Sequence, residues 1–201
     1  IIILCGKGNN GGDGLVVARL LHRRRARIHV VLLTPITDLG RDAATMYRRL
    51  VRSIGRTVIV RFRSADQLQP LLASSDILID ALLGTGLSSV VTGAYREAID
   101  LINNAGKPIV AVDIPSGLHA DTGAVLGQAI HATLTITCGL PKLGLYVDAG
   151  IDHAGAVLVA DIGIPPAYVD AIESRTLLLT HDNVCQSLPK RAPSSHKGTF
   201  G

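Results

Sequence analysis

A chain of 201 residues with 47% hydrophobic and 18% charged side chains is long and apolar enough to bury a single-domain core, which excludes disorder for its bulk. The net charge of +4 is uneven: residues 1–63 carry twelve Arg and one Lys against three Asp (+10), and residues 64–201 carry seven basic and thirteen acidic side chains (−6). With two Phe, four Tyr and no Trp there is little for bases to stack on, so the Arg-rich third reads as solvated helix faces, not as a nucleic-acid surface.

In chain order, an apolar strand over 1–5 leads through a glycine-rich segment, 6–14, into a helix over 13–24. A strand over 27–33, a helix over 40–54 and a strand near 57–62 follow. Next come a helix near 65–73, a strand near 76–81, a helix near 92–104 and a strand near 108–112. Segments 123–137 and 156–161 read as further strands, which predicts that the later part of the sheet is mixed. The earlier strands are apolar almost throughout, as expected when both faces are covered, and their alternation with helices predicts a doubly wound three-layer α/β/α domain with a mostly parallel sheet. The domain is expected over 1–187. The polar, proline-punctuated tail 188–201 reads as a linker.

No apolar run approaches the ~20 residues of a membrane span. Ile1–Leu4 reads as a strand already under way, without an initiator Met or an export signal, so the start is expected to be truncated. Cys5, Cys138 and Cys185 are odd in number, far apart and without metal-ligand spacing, which points to free thiols in a reducing compartment and a cytoplasmic location. The seven His residues form no zinc-type pattern either.

In such a fold ligands sit at the carboxyl ends of the strands, and the polar segments fall there repeatedly. Gly6-Lys-Gly-Asn-Asn-Gly-Gly-Asp-Gly14 satisfies a dinucleotide fingerprint in form, but the second strand ends Val31-Leu-Leu-Thr-Pro35 without the acid that holds a ribose. It lacks the Gly-Lys-Ser/Thr of a phosphate-binding P-loop as well. Asn9, Asn10 and Asp13 add neutral oxygens and a carboxylate, the ligands of a hard cation or the partners of a sugar or amide. After the fourth strand comes Asp80-Ala-Leu-Leu-Gly84-Thr85-Gly86-Leu87, whose N–H groups and hydroxyl suit a phosphate or carboxamide; a strand-end Asp also serves simply to cap a turn. After the fifth comes Val112-Asp113-Ile-Pro115-Ser116-Gly117, which an Asx or Ser turn would equally explain. It lacks the elbow and the partner His of a serine hydrolase. Later, Thr137-Cys-Gly-Leu-Pro-Lys142-Leu-Gly144 brings one of only five lysines into a shaped loop, where it is either solvated or turned to the site.

Taken together, Gly-x-Gly-Asn-Asn-Gly-Gly-Asp-Gly, Asp-x-Leu-x-Gly-Thr-Gly-Leu, Val-Asp-Ile-Pro-Ser-Gly-Leu with Ala120-Asp-Thr-Gly123, and Gly-Leu-Pro-Lys resemble the NAD(P)H-hydrate epimerase family (the YjeF N-terminal domain), in order from residue 1 to about 165. The tail His196-Lys-Gly-Thr-Phe-Gly201, with Arg191 before it, resembles the opening of the ADP- or ATP-dependent dehydratase domain that many bacterial members carry downstream. The resemblance implies a Rossmann-like fold and an isomerase that interconverts the R and S forms of NADH or NADPH hydrated at C6 of the nicotinamide ring. It implies substrate contacts from Asn9, Asn10, Gly11, Gly12 and Asp13, from Gly84, Thr85, Gly86, Leu87, Ser88, Ser89 and Val90, and from Asp113. It implies a potassium ion on Asn10, Asp80 and Ser116, an all-oxygen set unlike that of zinc. Asp113 is the expected acid–base group, with Lys142 as a second acid or a phosphate contact. A homodimer or higher homo-oligomer and a covalently linked dehydratase domain are the implied partners.

Lys7 departs from the family pattern by placing a charge near the phosphate region, and the helical region that family members carry at the start is missing. The competing reading is a non-catalytic binding scaffold, since the fold is reused in messenger-RNA decapping scaffolds and in an apolipoprotein-binding protein. Scaffold versions tolerate decay of the ligand loops, whereas Asn10, Asp13, Asp80, Asp113 and Ser116 are all present here. Another nucleotide-dependent enzyme on this frame would bind unmodified NAD tightly, which the absent ribose acid disfavours.

Overall fold

The computed structural model describes residues 1–56, 58–174, 176–188, 193–196 and 198. It divides the chain into two compact units, Ile1–Gly163 and Ile164–Gly201.

The first unit holds a seven-stranded sheet: β1 (Ile2–Cys5), β2 (His29–Leu32), β3 (Ile59–Arg61), β4 (Leu78–Ala81), β5 (Ile109–Val112), β6 (Leu134–Cys138) and β7 (Ala156–Ala160). The order is β3-β2-β1-β4-β5-β6-β7, and every pairing is parallel. The mixed later sheet expected from the sequence is therefore corrected to a parallel one. A second correction concerns 123–137, of which only Leu134–Cys138 is strand; before it the backbone makes an isolated antiparallel bridge, Leu118 to Val125. Before the strand, Ala129, Ile130 and Ala132 are buried from a loop, and Ala124, Val125 and Leu126 are half-buried.

Because neighbouring side chains on a strand point to opposite faces, each apolar strand feeds two cores. Ile3, Cys5, Val30, Leu32 and Ile79 pack with Leu15, Ala18, Ala43 and Leu50 of α1 (Asn9–Arg23) and α2 (Arg41–Ile54). Ile2, Leu4, Val31 and Leu78 pack with Leu68 and Leu72 of α3 (Ala65–Ala73) and with Ala98, Ile99 and Ile102 of α4 (Gly93–Asn103). The short α5 (Gly150–His153) precedes β7, and a smaller cluster of Ile114, Leu118, Ala120, Leu145 and Ala154 closes that end.

A third correction concerns the glycine motif. The helix begins at Asn9, not near 13, so six of the nine residues of the expected loop are helical backbone. Gly residues are poor helix formers, but here close approach selects them. A Cβ on Gly6 would stand 1.8 Å from the Leu82 carbonyl oxygen, and one on Gly11 would stand 2.0 Å from that of Gly6.

The second unit contains α6 (Pro166–Asp170) and α7 (His181–Ser187), the latter started by a capping box between Thr180 and Asn183. Of the expected tail, Pro189–Ala192, Lys197 and Thr199–Gly201 lie outside the described residues. Among the described residues no helix is long and apolar enough to cross a membrane, and Cys5, Cys138 and Cys185 are free thiols.

Candidate functional site

Chain direction reverses its march across the sheet between β1 and β4, since β2 lies to one side of β1 and β4 to the other. Loops leaving such a pair diverge and open a crevice at the carboxyl ends of the strands. Here the crevice is a cleft of about 530 Å³, lined by residues 7–10, Asp13, residues 82–89, Tyr95 and Asp113.

Beneath it sits Asp80, at the end of β4 and fully buried. Its Oδ1 accepts from the Ser116 hydroxyl (2.6 Å) and the Leu82 N–H (3.1 Å), and its Oδ2 accepts from the Ser116 N–H (2.8 Å). Burial pushes the Asp80 carboxyl up to about 6, and these hydrogen bonds oppose the rise. The Ser116 hydroxyl in turn accepts from the Leu83 N–H at 2.8 Å. Asn10 donates its Nδ2 to the Leu83 carbonyl at 2.8 Å, while its Oδ1 is buried with no hydrogen-bond partner. An orphaned buried amide oxygen costs about 1–3 kcal/mol unless a donor or a cation meets it. Three loops distant in sequence are thus tied together by Asn10, Asp80 and Ser116.

Asp113 ends β5 with φ +68°, a left-handed conformation uncommon for a non-glycine residue. Its Oδ1 accepts from the Lys142 ammonium (2.6 Å), the Cys138 N–H (3.1 Å) and the Thr137 hydroxyl (3.4 Å). Lys142 also donates to the Cys138 carbonyl at 2.7 Å, so the loop after β6 delivers a cation to the cleft acid. Asp13 stands on the first turns of α1; partial burial and then the Asp113 charge push its carboxyl above the usual range. The Cys138 thiol is raised by burial, Asp113 and Asp13, against the opposing effect of Lys142.

Of the expected site residues, Asn9, Asn10, Asp13, Gly84, Thr85, Gly86, Leu87, Ser88, Ser89 and Asp113 line the cleft. Asp80 and Ser116 form its floor, and Lys142 reaches it through Asp113. Gly11 and Gly12 are buried inside α1, against Gly6 and Ala43, and Val90 lies one residue beyond the lining, 63% exposed. Tyr95 was missed. Its hydroxyl accepts from the Lys7 N–H at 3.3 Å, and burial raises it. Only its place in the first turn of the helix after the Gly84–Val90 segment could have signalled it. Among the described residues no group of three or more His, Cys, Asp or Glu could hold a metal ion; Asn10, Asp80 and Ser116 offer only oxygens as donors, the ligand type of hard cations and not of zinc.

Fold and site together define a doubly wound α/β domain with a polar ligand cleft at its switch point. The family model for the YjeF-related protein N-terminus matches residues 1–144, and the chain belongs to that family. It is 44% identical over 202 residues to the bifunctional NAD(P)H-hydrate repair enzyme Nnr of Moorella thermoacetica, covering all of this chain and 38% of that one. It is 41% identical over 162 residues to the NAD(P)H-hydrate epimerase of Limosilactobacillus fermentum, covering 80% of this chain and 74% of that one. The crystal structure of yeast YNL200c has the same fold, with a TM-score of 0.69 at 21% identity, over 87% of this chain and 74% of that one. The chain spans under two fifths of the length of the first bifunctional relatives it matches, 38% and 37%.

Proposed function

We propose that this chain interconverts the R and S forms of NADH or NADPH hydrated at C6 of the nicotinamide ring, as part of nicotinamide nucleotide repair. The observation that carries the reading is the convergence of Asn10, Asp13, Asp80, Asp113 and Ser116 on one cleft in a chain 41% identical to an NAD(P)H-hydrate epimerase.

The cleft has two chemical ends. At one, the first turn of α1 has no side-chain cap and lines the cleft together with Lys7 and residues 84–89. Phosphate oxygens fit there. At the other, Asp113, braced by Lys142, leaves its Oδ2 without a partner among the described residues, available to the nicotinamide end. The hydrate is a hemiaminal, so loss of its C6 oxygen produces a cation on N1 and C6, which a fixed anion such as Asp113 stabilises.

The potassium ion expected of the family fits the floor: Asn10 Oδ1 is an unmet acceptor among the described residues, and Asn10 and Ser116 both bond the Leu83 carbonyl above the buried Asp80. When bound there it would supply a fixed positive charge that offsets Asp80. Residues 188–201 are read as a linker and the opening of a dehydratase domain, the assembly as a homo-oligomer and its location as cytoplasmic.

The test is epimer exchange. Hydrated NADPH is depleted of its S form by a separate S-specific dehydratase, and consumption of the R form is followed with and without this chain in potassium buffer. Accelerated consumption is the expected result. Folded protein that gives none would refute the reading and leave a binding module.

A further inference from the structure

Two carboxylates border the cleft, and the structure treats them differently. Asp113 Oδ1 is saturated by an ammonium, an N–H and a hydroxyl. A carboxylate held this way on one oxygen is fixed in place, with only Oδ2 turned free. Asp13 lines the same cleft from α1, and its carboxylate makes no hydrogen bond or ion pair with any described residue. We propose that Asp13 is the group that moves the proton in the epimerisation, with Asp113 supplying the negative charge beside it. The assignment rests on the epimerase reading of this site.

The step balances without any redox partner. Asp13 gives its proton to the C6 hydroxyl, the C6–O bond breaks with its electron pair leaving on water, and the N1 lone pair closes an N1=C6 iminium. Water then adds to the opposite face of C6, the double-bond pair returns to N1, and the proton shed by the added water returns to Asp13 through the water of the open cleft. Substrate and product are both the hydrate, and the acid is restored.

The surroundings bias Asp13 toward its protonated form. Asp113 faces Asp13 from the end of β5 and, after burial, raises its carboxyl; Cys138, at the end of β6, is itself pushed toward the neutral thiol. Lys142 is engaged by Asp113 and the Cys138 carbonyl, leaving Lys7 as the other cation at the lining. What separates the two carboxyls is their bonding: Asp113 is held by three donors on one oxygen, and the Asp13 carboxylate meets none among the described residues.

Exchange of hydrated NADPH should be measured from pH 5 to 9 for the wild type, Asp13→Asn, Asp13→Glu and Asp113→Asn, with kcat and KM resolved. The wild-type kcat is expected to fall as pH rises through the elevated titration of Asp13. Asp13→Asn should lose about 10²-fold or more in kcat, the scale of general acid catalysis, with KM changed less than about threefold. Asp13→Glu should retain part of the rate with a displaced midpoint. An Asp13→Asn kcat within about threefold of wild type, or a loss in KM alone, would overturn the assignment while leaving the epimerase standing. So would an unmoved midpoint in Asp13→Glu, which decides the matter even if the Asn variant does not fold. A wild type inactive at every pH would refute the epimerase reading, and the assignment with it.

Discussion

Replacing potassium by a cation too large for the floor of the cleft, such as tetramethylammonium, should destabilise the first unit in a pH-dependent way. Asp80 is fully buried, and burial raises its carboxyl from an ordinary 3.8 to about 6. Between those values the native state holds a proton that the unfolded state has released, so stability falls as pH rises through that window and stays reduced above 6. The displacement corresponds to about 3 kcal/mol, an upper bound on what a cation offsetting Asp80 restores. Thermal and urea unfolding in potassium and in tetramethylammonium at equal ionic strength, from pH 4 to 8, would read it. The expected difference is up to about 3 kcal/mol at pH 8, or about 6–12 °C in Tm for a domain of this size, shrinking toward zero near pH 4. Asp80→Asn should abolish both the pH dependence in that window and the response to potassium. Equal stability in the two salts at pH 8, or a potassium effect as large at pH 4 as at pH 8, would refute the reasoning that Asn10, Asp80 and Ser116 form a cation site.

Gly6→Ala should cost about 3 kcal/mol or more in urea unfolding, because its Cβ would meet backbone oxygen, which cannot rotate away; a loss under 1 kcal/mol would show that β1 and β4 can part there. Lys7→Ala should raise KM for hydrated NADPH about two- to fivefold and flatten its dependence on salt, the size expected of an exposed charge on a phosphate, and an unchanged salt dependence would place the phosphates elsewhere.

The local pattern carried the element list well. The helices Arg41–Ile54, Ala65–Ala73 and Gly93–Asn103 fall within a residue of where periodicity puts them, because their apolar spacing and end residues are local signals. It carried the cleft too, since strand ends followed by Gly, Asn and Asp are legible without coordinates. It failed where long-range packing overrides propensity. Four glycines among the seven residues 8–14 argue against a helix, yet α1 starts at Asn9 because Gly11 must pass close to Gly6. Apolar residues at 123–133 imitate a strand, but the backbone of Leu126 and Ile130 bonds to the loops at Val91 and at Ser116–Gly117, with one isolated bridge, and Ala129, Ile130 and Ala132 are buried from a loop.

By itself, then, the sequence determined which residues gather at one edge of a doubly wound sheet, since strand direction and loop composition are written along the chain. Only the tertiary structure decided what they do to one another. That Lys142 anchors Asp113 across 29 residues, and that among the described residues Asn10 Oδ1 meets no donor and the Asp13 carboxylate no partner, are matters of distance and desolvation. Charge and hydrogen bonding act through space, and spacing along a chain does not record how far apart two side chains come to rest.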